Sequence, residues 1–419
     1  MDHFVRNIIF ATGIECSYPT VEGGKRRDEL ASTGHYEHWR TDFKLCSEVG
    51  ASYVRYGIPY YKTHTGPGKY DWSFPDEVLP VMQAQGLIPI MDLCHFGVPD
   101  WVGNFQNADW PTLFADYVEA FVERYPWVTY FTPVNEILVC ARLSCLKGYW
   151  NEQQKSGPAF VRAMSNMCRA SVEAAWRILK HKPQAVFFQS EIAEIFHERH
   201  PDTRAEIEFK NQLRFISFDL LYGHHPEGEI MEFLLDCGMS REEFRWFMQH
   251  GRDQRLHCIM GTDYYAQNER YLTAAGEERS IGQVLGWAQL AEQYFRRYRK
   301  PIMLTETNCT GRDQAPDWLW NTWHNVDTAR RNGIPVVGLT WYSLQDQVDW
   351  DIQLREIRGT VNSNGLYNLE RRPNPVASTF QEISRDYGRE PFIADFAMGG
   401  IQGPGVQKPS MESRQPTDV

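Results

Sequence analysis

Along almost its whole length the chain alternates between two spacings of apolar residues. Short runs of apolar, β-branched and aromatic residues near 7–16, 52–60, 88–96, 128–137, 184–195, 257–266, 301–308 and 336–344 have the length and composition of buried strands. Between most of them lie amphipathic stretches of helical length: 37–49, 76–86, 110–125, 157–182, 281–299, 317–332 and, after the last strand, 375–387. Within 110–125, Leu113, Phe114, Tyr117, Val118, Phe121 and Val122 fall on one helical face. Asp109 ahead of Trp110-Pro111 supplies a helix start with proline in the first turn. The segment 196–256 is too long for one helix and predicts two or more.

Eight strands alternating with helices predict a (β/α)8 TIM barrel, one domain over residues 1–397 with an enlarged excursion between the fifth and sixth strands. An open, doubly wound sheet is the alternative. It usually has fewer strands, and Ala11-Thr-Gly-Ile-Glu15 after the first strand lacks the glycine-rich phosphate-binding turn.

Composition narrows the partners. A net charge of −11 argues against nucleic acid or an anionic membrane as the main partner. No run approaches the ~20 uninterrupted apolar residues of a membrane span. Met1-Asp-His-Phe-Val-Arg6 leads straight into the first strand without a secretory signal, and the nine cysteines lack paired spacing; both place the expected location in the cytoplasm. Cys140 and Cys145 are loosely spaced and no second pair follows, so no zinc site is expected. From about residue 398 the chain turns to Gly, Pro, Gln and Ser, the composition of a disordered tail.

Two strand candidates end in a carboxylate. Glu136 closes Val128-Thr-Tyr-Phe-Thr-Pro-Val-Asn-Glu136, and Glu306 sits in Pro301-Ile-Met-Leu-Thr-Glu-Thr-Asn308. Taken singly, either is more often structural than catalytic. As a pair at strand ends of one barrel they would meet at its mouth. Cleaving a glycosidic bond with retention needs such a pair, an acid for the leaving oxygen and a nucleophile for the anomeric carbon, about 5–5.5 Å apart.

The segments around both glutamates, with several others, resemble glycoside hydrolase family 1, the β-glucosidase family. Thr132-Pro-Val-Asn-Glu-Ile137 is similar to the family's Thr-Phe-Asn-Glu-Pro, and Leu304-Thr-Glu-Thr-Asn308 to its Ile/Val-Thr-Glu-Asn-Gly. Ile90-Met-Asp-Leu-Cys-His-Phe-Gly-Val-Pro-Asp-Trp101 resembles Leu-His-Trp-Asp-Leu-Pro, and Ser52-Tyr-Val-Arg-Tyr-Gly-Ile-Pro-Tyr60 the Tyr-Arg-Phe-Ser-Ile-Xaa-Trp strand. Gly261-Thr-Asp-Tyr-Tyr265 resembles Gly-Xaa-Asn-Tyr-Tyr, and Tyr342-Ser-Leu-Gln-Asp-Gln-Val-Asp-Trp350 resembles Trp-Ser-Leu-Xaa-Asp-Asn-Phe-Glu-Trp. These fall in order from residue 7 to about 388.

The resemblance implies roles. Glu136 would be the acid/base and Glu306 the nucleophile. Asn135 would hold the sugar 2-hydroxyl, and Arg55 would keep Glu306 ionised. Tyr265 would hydrogen-bond Glu306, His95 would contact a glycone hydroxyl, and Trp350 would offer an aromatic platform. For His95, Trp350 and Arg55 a purely structural role is the alternative.

Departures fall at the far end of the sugar pocket. Thr20 stands for the family Gln that binds the 3- and 4-hydroxyls, Phe96 for a Trp, and Tyr342 for the Trp opening the last motif. Asp349 stands for the Glu that grips the 4- and 6-hydroxyls. Glu191, ending Phe187-Phe-Gln-Ser-Glu191, is a further inward candidate for a sugar hydroxyl, and Arg355 and Arg358 are candidates for an anionic group, with a solvated loop pair as their alternative.

The expectation is a retaining β-glycosidase acting on a small carbohydrate or glycoside other than plain glucose, needing no cofactor or metal, with a bell-shaped pH profile. Two alternatives stay open: a transglycosidase using the same pair, and a saccharide-binding or scaffold barrel without turnover. The sequence leaves room for a homo-oligomer without specifying one.

Overall fold

In the computed structural model, residues 7–254 and 257–390 are described. All eight expected strands are present, each shorter than its apolar run: β1 Ile9–Gly13, β2 Tyr53–Gly57, β3 Ile88–Asp92, β4 Tyr130–Thr132, β5 Val186–Ile192, β6 Cys258–Asp263, β7 Ile302–Thr307 and β8 Val336–Trp341. They pair in parallel and close in the order β1-β8-β7-β6-β5-β4-β3-β2. The architecture is the expected (β/α)8 barrel. Its interior is filled by Ile9, Ala11, Ile90, Tyr130, Val186, Phe188, Ile259, Met303 and Val337, while the intervening strand positions pack outward against the helices. Strands buried on both faces read as unbroken apolar runs, which is why the sequence showed eight of them so plainly.

The expected helices appear within a few residues of their predicted bounds: His35–Glu48, Ser73–Ala84, Trp110–Arg124, Gly157–His181, Trp287–Tyr298, Ala315–Arg331 and Pro375–Tyr387. The helix expected from 281 begins at Trp287, after Gly282 and Gly286, both at positive φ; upstream, Glu269–Leu272 and Glu278–Ser280 join Ile195–His197 in a small sheet outside the barrel. Among its described residues the excursion holds four α-helices, Arg204–Leu213, Ile216–Tyr222, Gly228–Asp236 and Arg241–Gln254, the first entered through a 3-10 turn at Pro201–Thr203. Apart from two four-residue turns of helix, Glu29–Ser32 and Tyr60–Thr63, one helix among the described residues was not foreseen. Ile137–Cys145 follows β4 directly, and its apolar start continues the strand-like run that ends in Glu136.

No helix among the described residues is long and apolar enough to cross a membrane. None of the nine cysteines is in a disulfide. The tail expected from residue 398 and the first six residues lie outside the described residues.

Candidate active site

At the C-terminal ends of the strands a cavity of about 440 Å³ opens, lined by Glu15, His95, Glu136, Tyr265, Glu306 and Tyr342, among others. Strand parity brings most of the polar groups there. On β2 the inward positions run Tyr53, Arg55, Gly57, and on β3 Ile88, Ile90, Asp92, so the last polar side chain of each faces the cavity floor.

Glu306 arrives differently. Counted from inward Met303, it should face outward. The β7 strand carries an extra residue against both neighbours: Thr262 pairs with Leu304 and Asp263 with Glu306, while Leu304 pairs with Leu339 and Thr307 with Trp341. That bulge re-aims Glu306 into the cavity. Gly261 makes room for it, since a Cβ there would lie 2.6 Å from Thr305 Oγ1. Arg55 Nη1 donates to Glu306 Oε1, and the Tyr265 hydroxyl donates to Oε2 at 2.7 Å. A carboxylate held by two donors, one of them a buried guanidinium, is fixed in place and in orientation.

Glu136 lies just past the end of β4, at the start of helix Ile137–Cys145, with a left-handed backbone (φ 39°). Its N–H donates to Ser190 O at 3.0 Å. Burial, then Asp263, Glu306 and Glu191, raise its carboxyl well above the ordinary value. One oxygen from each of Glu136, Asp263 and Glu306 lies within 4.8 Å of the others. Of these three carboxyl groups only Glu306 is paired with Arg55, whose other hydrogen bonds go to Thr305 O, Asp92 and Asn135.

Arg55 also donates through Nη2 to Asp92 Oδ2 at 3.0 Å and Asn135 Oδ1 at 2.7 Å. Asp92 Oδ2 lies 2.8 Å from His95 Nδ1, and Asn135 Nδ2 lies 3.3 Å from His95 Nε2. Burial opposes a charge on His95, Cys16 and Asp92 favour it, and the balance lies well above the ordinary histidine value. Asn135 is fully buried and sits behind the cavity lining rather than in it.

Tyr342 stacks parallel to His95 with ring centroids 6.2 Å apart, over Gly13, where a Cβ would meet its ring at 2.3 Å. Trp350 lines the cavity and packs on Phe96 and Trp150.

Like Asn135, two further expected site residues do not reach the cavity. Asp349 is fully buried and turned away: it accepts the N–H groups of Arg358, Gly359 and Thr360 at 2.7–2.9 Å and pairs with Arg27 at 3.0 Å. Burial works against its charge, but these N–H donors and Arg27 hold the carboxyl below its ordinary value. Its place is to tie down the loop beyond Trp350. Glu191 is outward on β5, because Phe188 and hence Ser190 are inward; it accepts the N–H of Leu138 at 2.8 Å. Thr20 is also off the cavity, its N–H and C=O both bonded to Asn151. Arg355 lines the cavity, whereas Arg358 pairs with Glu356.

The residues that line the far wall instead are Glu15 and Gln347, which sequence reasoning missed. Glu15 Oε1 accepts the N–H of Ser17 at 2.9 Å, and Oε2 accepts Gln347 Nε2 at 2.8 Å. Burial raises its carboxyl, partly offset by His95 and Ser17. Once the structure shows Ile9 and Ala11 pointing inward, two-residue periodicity carries the same series through Gly13 to Glu15, just past β1. Asp92 and Asp263, also missed, follow from the same count on β3 and β6.

Residues 16–237, more than half of the chain, match the sequence model described as glycosyl hydrolase family 1. The fold is similar to that of a β-glucosidase from Thermotoga maritima in complex with deoxynojirimycin, with a TM-score of 0.77 at 15% identity over 92% of this chain and 99% of that one. The β-glucosidase from Thermotoga maritima in complex with azafagomine superposes with a TM-score of 0.76 at 16% identity over 93% and 100%. Its complex with galacto-hydroximolactam gives 0.76 at 16% identity over 92% and 99%. At these identities the likeness is one of fold.

Proposed function

The chain belongs to glycosyl hydrolase family 1, and on that premise we propose that it is a retaining β-glycosidase whose glycone is not plain glucose. The observation that carries the reading is the pairing of unlike carboxyl groups. Glu306 is gripped by Arg55 and Tyr265, while burial and neighbouring carboxylates hold the proton on Glu136, with oxygens of the two within 4.8 Å. Unlike environments for two nearby carboxyl groups separate an acid from a nucleophile.

In this reading Glu136 protonates the leaving oxygen while Glu306 attacks the anomeric carbon. Glu136 then takes a proton from water as the glycosyl–Glu306 ester is hydrolysed. Asn135 and Arg55 brace the floor, His95 meets a glycone hydroxyl, and Tyr342 and Trp350 offer ring faces to the sugar. The two carboxyl groups carry the chemistry, so neither metal nor cofactor is called for. The glycone's far end would meet Glu15 and Gln347, because Asp349 and Thr20 are turned to other partners. A site that hydrogen-bonds particular hydroxyls discriminates strongly through them.

The test is turnover of a panel of aryl β-glycosides that vary the sugar, for the parent and for Glu306→Ala with and without azide. Turnover lost in the variant and restored by azide, with an α-glycosyl azide as product, is the expected result. Binding of sugars without turnover of any panel member by folded protein would overturn it. Added acceptor alcohols separate hydrolysis from glycosyl transfer in the same assay.

A further inference from the structure

Three carboxyl groups, rather than two, meet at the cavity floor. Asp263 ends β6 fully buried, and the strand register sets it beside Glu306 on β7. The Ser190 hydroxyl lies 2.9 and 2.7 Å from its two oxygens. The family motif quoted above carries a neutral Asn at this position. Arg55 on β2 attracts Asp263 but gives its hydrogen bonds to Glu306, Asp92 and Asn135. Glu306 from β7, Glu136 beyond β4 and Tyr265 just past its own strand complete the titratable groups around it, with Glu191 of β5 and His95 beyond β3 acting on Glu136 from farther off.

We propose that Asp263 is a positioning residue that keeps the catalytic proton on Glu136, because an ionised Asp263 beside it makes loss of that proton unfavourable. The inference rests on reading Glu136 as the acid. Three interacting carboxyl groups give up their protons one at a time. Both Asp263 and Glu136 are raised, each first by burial; Glu306 adds to the first, and Asp263 itself is the leading neighbour raising the second. The Arg55 charge and the Ser190 hydroxyl both favour the Asp263 anion, and in this proposal Asp263 ionises before Glu136, which keeps its proton to higher pH. The acid that must protonate the leaving group then stays available across a wider range.

The experiment compares the pH dependence of kcat/KM for the parent, Asp263→Asn and Asp263→Glu on the best aryl glycoside from the panel. Removing a like charge at this range lowers the Glu136 proton affinity, so the basic limb of Asp263→Asn moves to lower pH by about one unit or more, and Asp263→Glu restores it. A basic limb that stays in place in folded Asp263→Asn overturns the proposal; a lost parent turnover overturns the reading it rests on. Should Asp263→Asn fail to fold, Asp263→Ser is measured in its place. Should no panel member turn over, carbon-13 NMR titration of the Glu136 carboxyl, assigned with Glu136→Gln, reads the same shift directly, and an unshifted titration overturns the proposal.

Discussion

The carboxylate of Glu191, buried at the end of β5, accepts the backbone N–H of Leu138 at 2.8 Å. That N–H belongs to the first turn of helix Ile137–Cys145, where donors have no partner within the helix. The helix begins immediately after Glu136, so Glu191 steadies the turn on which the proposed acid stands without touching the cavity.

A stability prediction follows from the same carboxylate. Burial pushes it up from its ordinary 4.5 to about 7. The folded state therefore holds the proton more tightly than the unfolded chain. The stabilisation is full below about pH 4.5 and is lost as pH rises through about 7. In Glu191→Gln this part of the slope, on the order of 3 kcal/mol at about 1.4 kcal/mol per pKa unit, should vanish from urea midpoints measured between pH 4.5 and 8. Parallel curves for parent and variant would refute it.

Tyr265→Phe removes one of the two donors to Glu306 and leaves the ring. A hydrogen bond to a charged group contributes about 1.5–3 kcal/mol, so kcat on an aryl glycoside should fall roughly 10- to 100-fold with little change in Tm. A kcat within twofold of the parent would show that Arg55 alone orients Glu306.

Asp349→Ala should act on stability rather than sugar choice. It leaves three backbone N–H groups without their acceptor and takes one of two carboxylate partners from Arg27, which keeps Glu29, a loss on the order of 3 kcal/mol. Tm should drop, while the ranking of sugars differing at the 4- and 6-positions stays that of the parent. A changed ranking with unchanged Tm would return Asp349 to the substrate.

Glu15→Gln tests the far wall. The substituted amide presents an N–H₂ to either Ser17 or Gln347, both donors in the parent, so the side chain must turn. The preferred sugar should change, with kcat/KM for the parent's best substrate down by about tenfold for one lost hydrogen bond to a charged group. An unaltered preference across the panel would remove Glu15 from glycone recognition.

Several site contacts were legible before any coordinates, through the resemblance of their motifs: Arg55 and Tyr265 do both reach Glu306. Others were hidden for a definite reason. A barrel strand is apolar on both faces, so its sequence carries no mark of which parity faces in. In Phe187-Phe-Gln-Ser-Glu191 the expected inward residue was Glu191; Phe188, packed inside the barrel, selects Ser190. Asp349 was hidden by distance, since its partners are Arg27 and the N–H groups of residues 358–360.

The alternation of apolar runs by itself determined eight strands, their helices and their order around a barrel, because burial of both strand faces and one helix face is written locally at fixed periods. Which strand-end carboxyl groups share the cavity was decided by tertiary structure. The bulge near Thr305 that turns Glu306 inward shows in the pairing of β7 with β6 and β8, and the raised carboxyl groups of Glu136 and Asp263 require neighbours that only closure of the barrel brings within a few ångströms.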